Sequence, residues 1–346
     1  MNKNTTHINI AEKRFRRRLK SKLKRKKLRK HYQDQIDRGF KPTPKHRSPK
    51  LRIPAPENFS FSENRKGVLS FIGNLEKALN SGKTVFVKLD SVEHIDQAAI
   101  TLLLGIMAEF QSSGIYFNGD FPRNTEAKET LIKSGFLKQL YPNDGYYFGS
   151  KSSIYTHGNK VYDEDLTCEE LSEALICVFG ERRRSQGARK VLIEAMKNTL
   201  LHASMKRERH WWMSFKKDSK NNKLTVSMLD YGVGIFNSLK NGDEDDPGYK
   251  WYEKWIKLGA NNYSILEKIM KGELKAISRS RIAGHGTGLP GMRKAFGNQF
   301  VSKLVIISND VYADVGAEIY EPLGSDFSGT LIQFEITPEC KSFPYG

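Results

Sequence analysis

Cysteine is scarce: Cys168, Cys177 and Cys340 are the only three in 346 residues. Their spacing fits neither a disulfide framework nor a zinc or redox motif. An odd number cannot all pair internally, so they are expected as reduced thiols in a cytoplasmic protein. Long apolar runs are missing as well. The longest, around Ala98 to Met107, falls far short of the roughly 20 residues that span a bilayer, so no transmembrane segment is expected. The N-terminus lacks an apolar stretch long enough for a secretory signal. No G-K-[ST] follows the glycine-rich loop from Gly284 to Gly288, so that loop is not a P-loop.

Acidic residues are nearly absent from one end of the chain. Residues 1–50 hold 19 Lys and Arg against 3 Asp and Glu, a net of +16 out of a whole-chain +18. The basicity therefore belongs to an arm. Its densest part is residues 13–30, where Phe15, Leu19 and Leu23 fall four apart, the spacing of a helix formed on contact with a partner. Nucleic-acid phosphate, an anionic membrane surface and an acidic protein face all suit such a segment. Nucleic acid suits it best, because clustered cations release many counterions; the apolar stripe is thin for an interfacial helix. A solvated tail is the plain alternative. The stretch from Lys41 to Phe59 is proline-rich and reads as a semi-rigid linker.

The remaining length has room for two α/β domains with cores of their own, over residues 51–155 and 156–346. Within the second, three short motifs follow one another. Residues 188–203 read as a helix, with Val191, Leu192, Ala195 and Met196 on a buried face. Glu194, Asn198 and His202 recur every four residues and share one side of it. A carboxylate one turn from a carboxamide suits a general base beside a neutral oxygen ligand for Mg²⁺; it also describes a solvated polar stripe. Next, Lys223 to Leu229 alternates and is rich in branched residues, a strand signature. Asp230 ends it, and Gly232 and Gly234 follow. A carboxylate there can accept from an exocyclic amine while glycine lets backbone approach a flat ring; an ordinary Asp-x-Gly turn has the same letters. Third, Gly284, Gly286 and Gly288 feed a helix over "LPGMRKAF", whose proline is tolerated in a first turn. Such a loop turns backbone N–H groups and a helix dipole toward an anion. Arg293 and Lys294 add cations, either for phosphate or for solvent.

In this order the three motifs resemble the ATP-binding boxes of the GHKL superfamily, shared by gyrase, ninety-kilodalton heat-shock proteins, histidine kinases and mismatch-repair ATPases. The resemblance runs from about Leu171 to Pro338 and implies helices layered on a mixed sheet, with ATP and Mg²⁺ bound. It implies Glu194 as general base, Asn198 on Mg²⁺, and Asp230 on the adenine amine with Gly232 and Gly234 beside it. Gly284, His285, Gly286, Thr287, Gly288 and Leu289 would surround the phosphates. A further match, "DFSGTLIQFEITP", implies that Thr330 supports adenine recognition from a Gly-Thr opening the last strand. The long segment Phe236–Ala283 corresponds to a mobile lid, its end similar to that of anti-sigma-factor kinases. The cluster Trp251, Tyr252 and Trp255 within it reads as ordinary core. Two departures stand out. None of His46, His94 or His157 sits in the context of a phospho-accepting histidine, and no second domain follows Pro338 to supply a γ-phosphate lysine. Self-phosphorylation and clamp-type turnover are therefore not expected.

Residues 51–155 read strand, helix, strand, helix, an order for a partly parallel sheet. The pattern, with Asp90 and Ile95-Asp96 leading into a helix, resembles the STAS fold of anti-sigma-factor antagonists. Where those carry a phosphorylatable serine this chain has Gln97, Ala98 and Ala99, so a phospho-switch there is not expected. The resemblance implies a protein partner for this domain, and a homodimer is left open. The whole implies ATP used as a conformational switch, with slow hydrolysis or serine/threonine phosphotransfer. The alternative is a non-hydrolysing, nucleotide-gated module that its arm recruits to nucleic acid.

Overall fold

The structure, a computed structural model, describes residues 51–140, 154–158, 164–202, 210–241, 247–273 and 288–344; the side chains of 154–158, 164, 166, 197–202, 210, 247 and 325 lie outside the described set. The basic arm is therefore outside the described residues. The first unit runs β1 (Leu51–Pro54), β2 (Asn58–Phe59), α1 (Arg65–Asn80), β3 (Val85–Lys88), β4 (His94–Ile95), α2 (Gln97–Ser112), β5 (Phe117–Gly119), α3 (Thr125–Lys133) and α4 (Phe136–Leu140). Strands β1, β3 and β5 form a parallel sheet, which needs crossovers, and α1 and α2 supply them. Each helix starts on a side-chain cap. Asn64 accepts from Gly67 N–H, and Asp96 accepts from Ala99 N–H with one oxygen while Ser60 and Ser62 hold the other. The sequence pattern after Asn124 predicts one helix. The structure breaks it after Lys133, because Gly135 takes φ 87°.

The second unit runs β6 (Ile154–Gly158), α5 (Glu164–Ala174), α6 (Ile176–Phe179), β7 (Arg183–Arg184), α7 (Gln186–His202), β8 (His210–Asp218), β9 (Lys223–Asp230), α8 (Ile235–Lys240), α9 (Pro247–Lys257), α10 (Asn262–Lys271), α11 (Gly288–Gly297), β10 (Lys303–Asp314), β11 (Ile319–Ile336) and β12 (Phe343–Pro344). Its sheet has the order β10-β11-β9-β8-β6, and every pairing is antiparallel rather than mixed. The reason is connectivity. Hairpins join β8 to β9 and β10 to β11, and the helical excursion after β9 returns so that β11, not β10, lies beside it.

Both faces of this sheet are covered, and strand alternation sorts the side chains between them. Trp211, Met213, Phe215, Leu224, Val226, Met228, Ile332 and Phe334 join one core, with α7, α10 and α11. Trp212, Leu229, Tyr231, Val305, Ile307, Tyr312, Phe327 and Leu331 join the other, whose remaining buried members come from the first unit. Helix α2 packs on β8 and β9, and α1 on β11. Thr101 in α2 donates to Ser214 Oγ at 3.0 Å. Arg65 in α1 pairs with Glu321 and stacks on the Tyr312 ring, 3.4 Å from its centroid. A helix that is apolar nearly all round is a buried helix. Twelve of the sixteen α2 residues are buried, so the α/β sheet of the first unit and the antiparallel sheet of the second clasp it from both sides.

The expected aromatic core between the glycine motifs is present. Tyr252 is buried beside Phe236, and Trp251 and Trp255 pack against the same cluster. The helical stretch there is two helices, parted by Gly259 (φ 82°) and restarted by an Asn261–Ser264 capping box. The three cysteines are free thiols. Among the described residues no helix is long and apolar enough to cross a membrane.

Candidate functional site

One row of residues crosses the second sheet at the end of β9. Ser308 pairs with Thr330, Thr330 with Asp230, and Asp230 with Trp211. Alternation places the Asp230, Thr330 and Ser308 side chains on the α7 and α11 face. Asp230 Oδ1 accepts from Gly232 N–H at 2.8 Å, and the Thr330 hydroxyl also bonds the carboxylate. Burial nevertheless pushes the Asp230 pKa up to about 7, outweighing those two hydrogen bonds, which pull it down. Ser308 Oγ lies 3.1 Å from Thr330 Oγ1, accepts from Ile235 N–H at 2.8 Å and donates to the Gly329 carbonyl at 3.0 Å. With Asp230 ionised, Thr330 donates to it, and the single Ser308 proton is shared between Thr330 and Gly329.

The Asp-x-Gly turn is fixed from β10. Asn309 sits in a bulge at φ 54°, and its Oδ1 accepts from Phe236 N–H at 2.9 Å and Asn237 N–H at 3.2 Å. Its Nδ2 donates to the Val233 carbonyl at 2.8 Å. Gly234 (φ 78°) opens α8 against this amide, and a Cβ there would collide with it. Sequence reasoning missed Asn309 and Ser308. The signal was the polar triplet Ser308-Asn309-Asp310 interrupting a continuous apolar strand. It also placed Gly329-Thr330 at the start of the last strand. β11 in fact begins at Ile319, and Gly329 lies inside it at φ 117°, where a Cβ would strike the Asp230 carbonyl. Two extra β11 residues bulge opposite Ser308 and Asn309, which is how the strand passes the site.

The second half of the site is the crossing of α7 and α11. Glu194 is buried, and its Cγ is 3.9 Å from where a Cβ on Gly291 would lie; Lys190 Cε is at 3.1 Å from that point. Glycine therefore lets the start of α11 close on the Glu194 turn of α7. Asn198 follows one turn later on the α7 backbone, with its side chain outside the described residues. Gly288 and Leu289 are the first residues of α11, half-buried. Gly284, His285, Gly286 and Thr287 lie outside the described residues. Arg293 and Lys294 are exposed, and the Arg293 guanidinium lies against Gly272 at the C-terminal end of α10, where a helix dipole favours a cation. A cleft between α5 and the start of α7, lined by Asp165, Cys168, Arg184 and Arg189, contains none of the predicted residues.

A half-buried carboxylate with one oxygen on a backbone N–H keeps acceptor capacity, so Asp230 can accept from an exocyclic amine. Among the described residues no group of three or more His, Cys, Asp and Glu side chains could hold a metal. Glu194 packs against the α11 start at Gly291, and the amide expected to join it belongs to Asn198. No protein-family model matches the chain, and no curated protein matches its sequence. The site is therefore read from its own residues.

Proposed function

We propose that the second unit binds an adenine nucleotide, as Mg-ATP, on the face of the antiparallel sheet beneath α7 and α11. The reading rests on one observation. Asp230 is a half-buried strand-end carboxylate whose ionised form is supported by Gly232 N–H and the Thr330 hydroxyl, on the α7 and α11 face of the sheet. Such a group is costly unless it has work to do, and an adenine amine donates to it in the needed direction. The resemblance to GHKL ATP-binding boxes assigns the remaining roles. Gly284 to Leu289 would hold phosphates at the α11 start, Asn198 would hold Mg²⁺, and Glu194 would accept the proton of an attacking water or hydroxyl. In this reading ATP is a conformational switch with slow hydrolysis or serine/threonine phosphotransfer.

Calorimetric titration of ATP with and without Mg²⁺, beside phosphate release by parent and Glu194→Ala, tests it. Mg-dependent binding with release lost in Glu194→Ala is the expected result. Binding without release in the parent would leave a nucleotide-gated module. No binding would overturn the reading.

The net +16 of residues 1–50 favours a second role, recruitment to nucleic acid. Trimming residues 1–50 should then abolish salt-sensitive retention on DNA or RNA; retention unchanged by trimming would overturn that role. A protein partner for the first unit would have to use surfaces other than the α1 and α2 faces, which the sheet of the same chain covers.

A further inference from the structure

The nucleotide reading leaves one residue of the Asp230–Gly234 turn unused. Tyr231 follows Asp230 directly and, by alternation, projects to the opposite face of the sheet. Its ring lies 6.1 Å from Trp212 and 5.8 Å from Phe327, within the core shared with the first unit. Its hydroxyl donates to the Leu102 carbonyl at 3.0 Å, inside α2 and 129 residues earlier in the chain. Gly105 lies three residues beyond Leu102 on the same helix face, and a Cβ there would collide with the Tyr231 ring. The helix thus has a notch for the ring and an acceptor at its end. Glu76 on α1 and Glu109 on α2 face the same phenol, and burial with these two carboxylates raises its pKa well above the ordinary tyrosine value.

The acceptor is anchored. Thr101, the residue before Leu102, bonds Ser214 on β8, and α1 is fixed to β11 through Arg65 and Glu321. Asp230 and Tyr231 share one peptide unit at the end of β9, and the Asp230 carbonyl lies where a Cβ on Gly329 would be. Any twist of that strand end which moves the ring on one face moves the carboxylate on the other. A buried phenol that loses its acceptor pays for desolvation with nothing in return, so the bond resists such a twist.

We propose that Tyr231 is a positioning residue which clamps the end of β9 to the α2 backbone at Leu102 and so holds the Asp230 carboxylate toward its ligand. The proposal rests on the reading of Asp230 as the acceptor for adenine. It makes the first unit part of the nucleotide site, and occupancy of that site is felt in α2.

The test uses the full chain as parent, Tyr231→Phe, Asp230→Asn and the double variant. Mg-ATP binding is measured calorimetrically from pH 6 to 8, and amide exchange of residues 102–107 with and without Mg-ATP. The expected result is a Tyr231→Phe protein with parental near-ultraviolet circular dichroism, at least tenfold weaker binding and a displaced pH midpoint. ATP should no longer protect residues 102–107, and the double variant should bind no worse than Asp230→Asn alone. Binding within twofold of the parent, with the same midpoint and the same protection, would overturn the proposal. Should Tyr231→Phe fail to fold, Thr101→Val loosens α2 without touching the phenol and should weaken binding in the same direction, by about threefold; parental binding and protection would then overturn it. A parent that binds no ATP would sink the adenine reading, yet the clamp is still decided in the nucleotide-free protein. The exchange protection of Ile106, next along the helix ladder from Leu102, should change between pH 6 and 8 in the parent and in neither single variant. A parent as flat as the variants would overturn the clamp.

Discussion

Thr330 and Asp230 stand opposite each other on β11 and β9, and the threonine hydroxyl bonds the aspartate carboxylate. Asp230→Asn keeps the shape but supplies an amide where an acceptor is needed. Adenine-nucleotide binding should weaken by about 1–3 kcal/mol, and Thr330→Val should weaken it by about 1 kcal/mol. Calorimetry on the two purified variants checks both values.

The same carboxylate gives binding a pH dependence. An adenine amine donates more strongly to the ionised form than to the protonated one, and burial holds the Asp230 pKa of the nucleotide-free protein up to about 7. Affinity should therefore rise as pH increases from about 6 to about 8 and then level off, since below the pKa a proton must be released on binding. Asp230→Asn should bind with no such slope.

Stability of the nucleotide-free protein should run the other way. Asp230 rises from 3.8 to about 7 on folding, and Glu170 in α5 from 4.5 to about 7, burial being the cause in both. A carboxyl group with a raised folded pKa makes the folded state the better proton binder. Its stabilising contribution is complete below about pH 4 and disappears as pH rises through about 7. Glu170 is the more solvated of the two and contributes less. Melting temperatures measured from pH 5 to 8 should fall less steeply for Asp230→Asn, and nearly flatten for the double variant with Glu170→Gln.

Gly329→Ala should be among the most damaging single changes. It places a methyl group against the Asp230 carbonyl and asks alanine to adopt φ 117°. A loss of about 3 kcal/mol or more in denaturant unfolding is expected, together with loss of nucleotide binding.

Trp212→Ala should show how firmly the two units are joined. The indole is buried on the face of the sheet that α2 covers, and truncation should cost about 3–5 kcal/mol. Because the core is shared, thermal unfolding should remain one transition at a lower temperature; two separate transitions would show that the units unfold independently.

Local elements were legible in the sequence, since their causes are local. The apolar spacing of Val191, Leu192, Ala195 and Met196 predicts α7, the alternation from Lys223 predicts β9, and the glycines before Leu289 predict a helix start. What covers the sheet was not legible. Trp211 and Trp212 are consecutive and both buried, so the strand reads as a plain apolar run whose second face could meet any partner. The row Ser308, Thr330, Asp230 depends on register, which arises from pairing of β11 both with β10 and with β9, the latter about 100 residues earlier, and leaves little trace in any strand alone. Asn309 carries its role through φ 54° and three backbone contacts, none of which its neighbours announce.

The placement of β11 between β9 and β10 sets an order of assembly during synthesis. The central sheet cannot close until the chain through Ile336 has left the ribosome. Helix α2, whose apolar surface that sheet must cover, is complete at Ser112. For more than two hundred residues of translation this helix waits without its cover. The nascent chain should be a strong client of holding chaperones, and shortage of such chaperones should lower its soluble yield before any loss of intrinsic stability is felt.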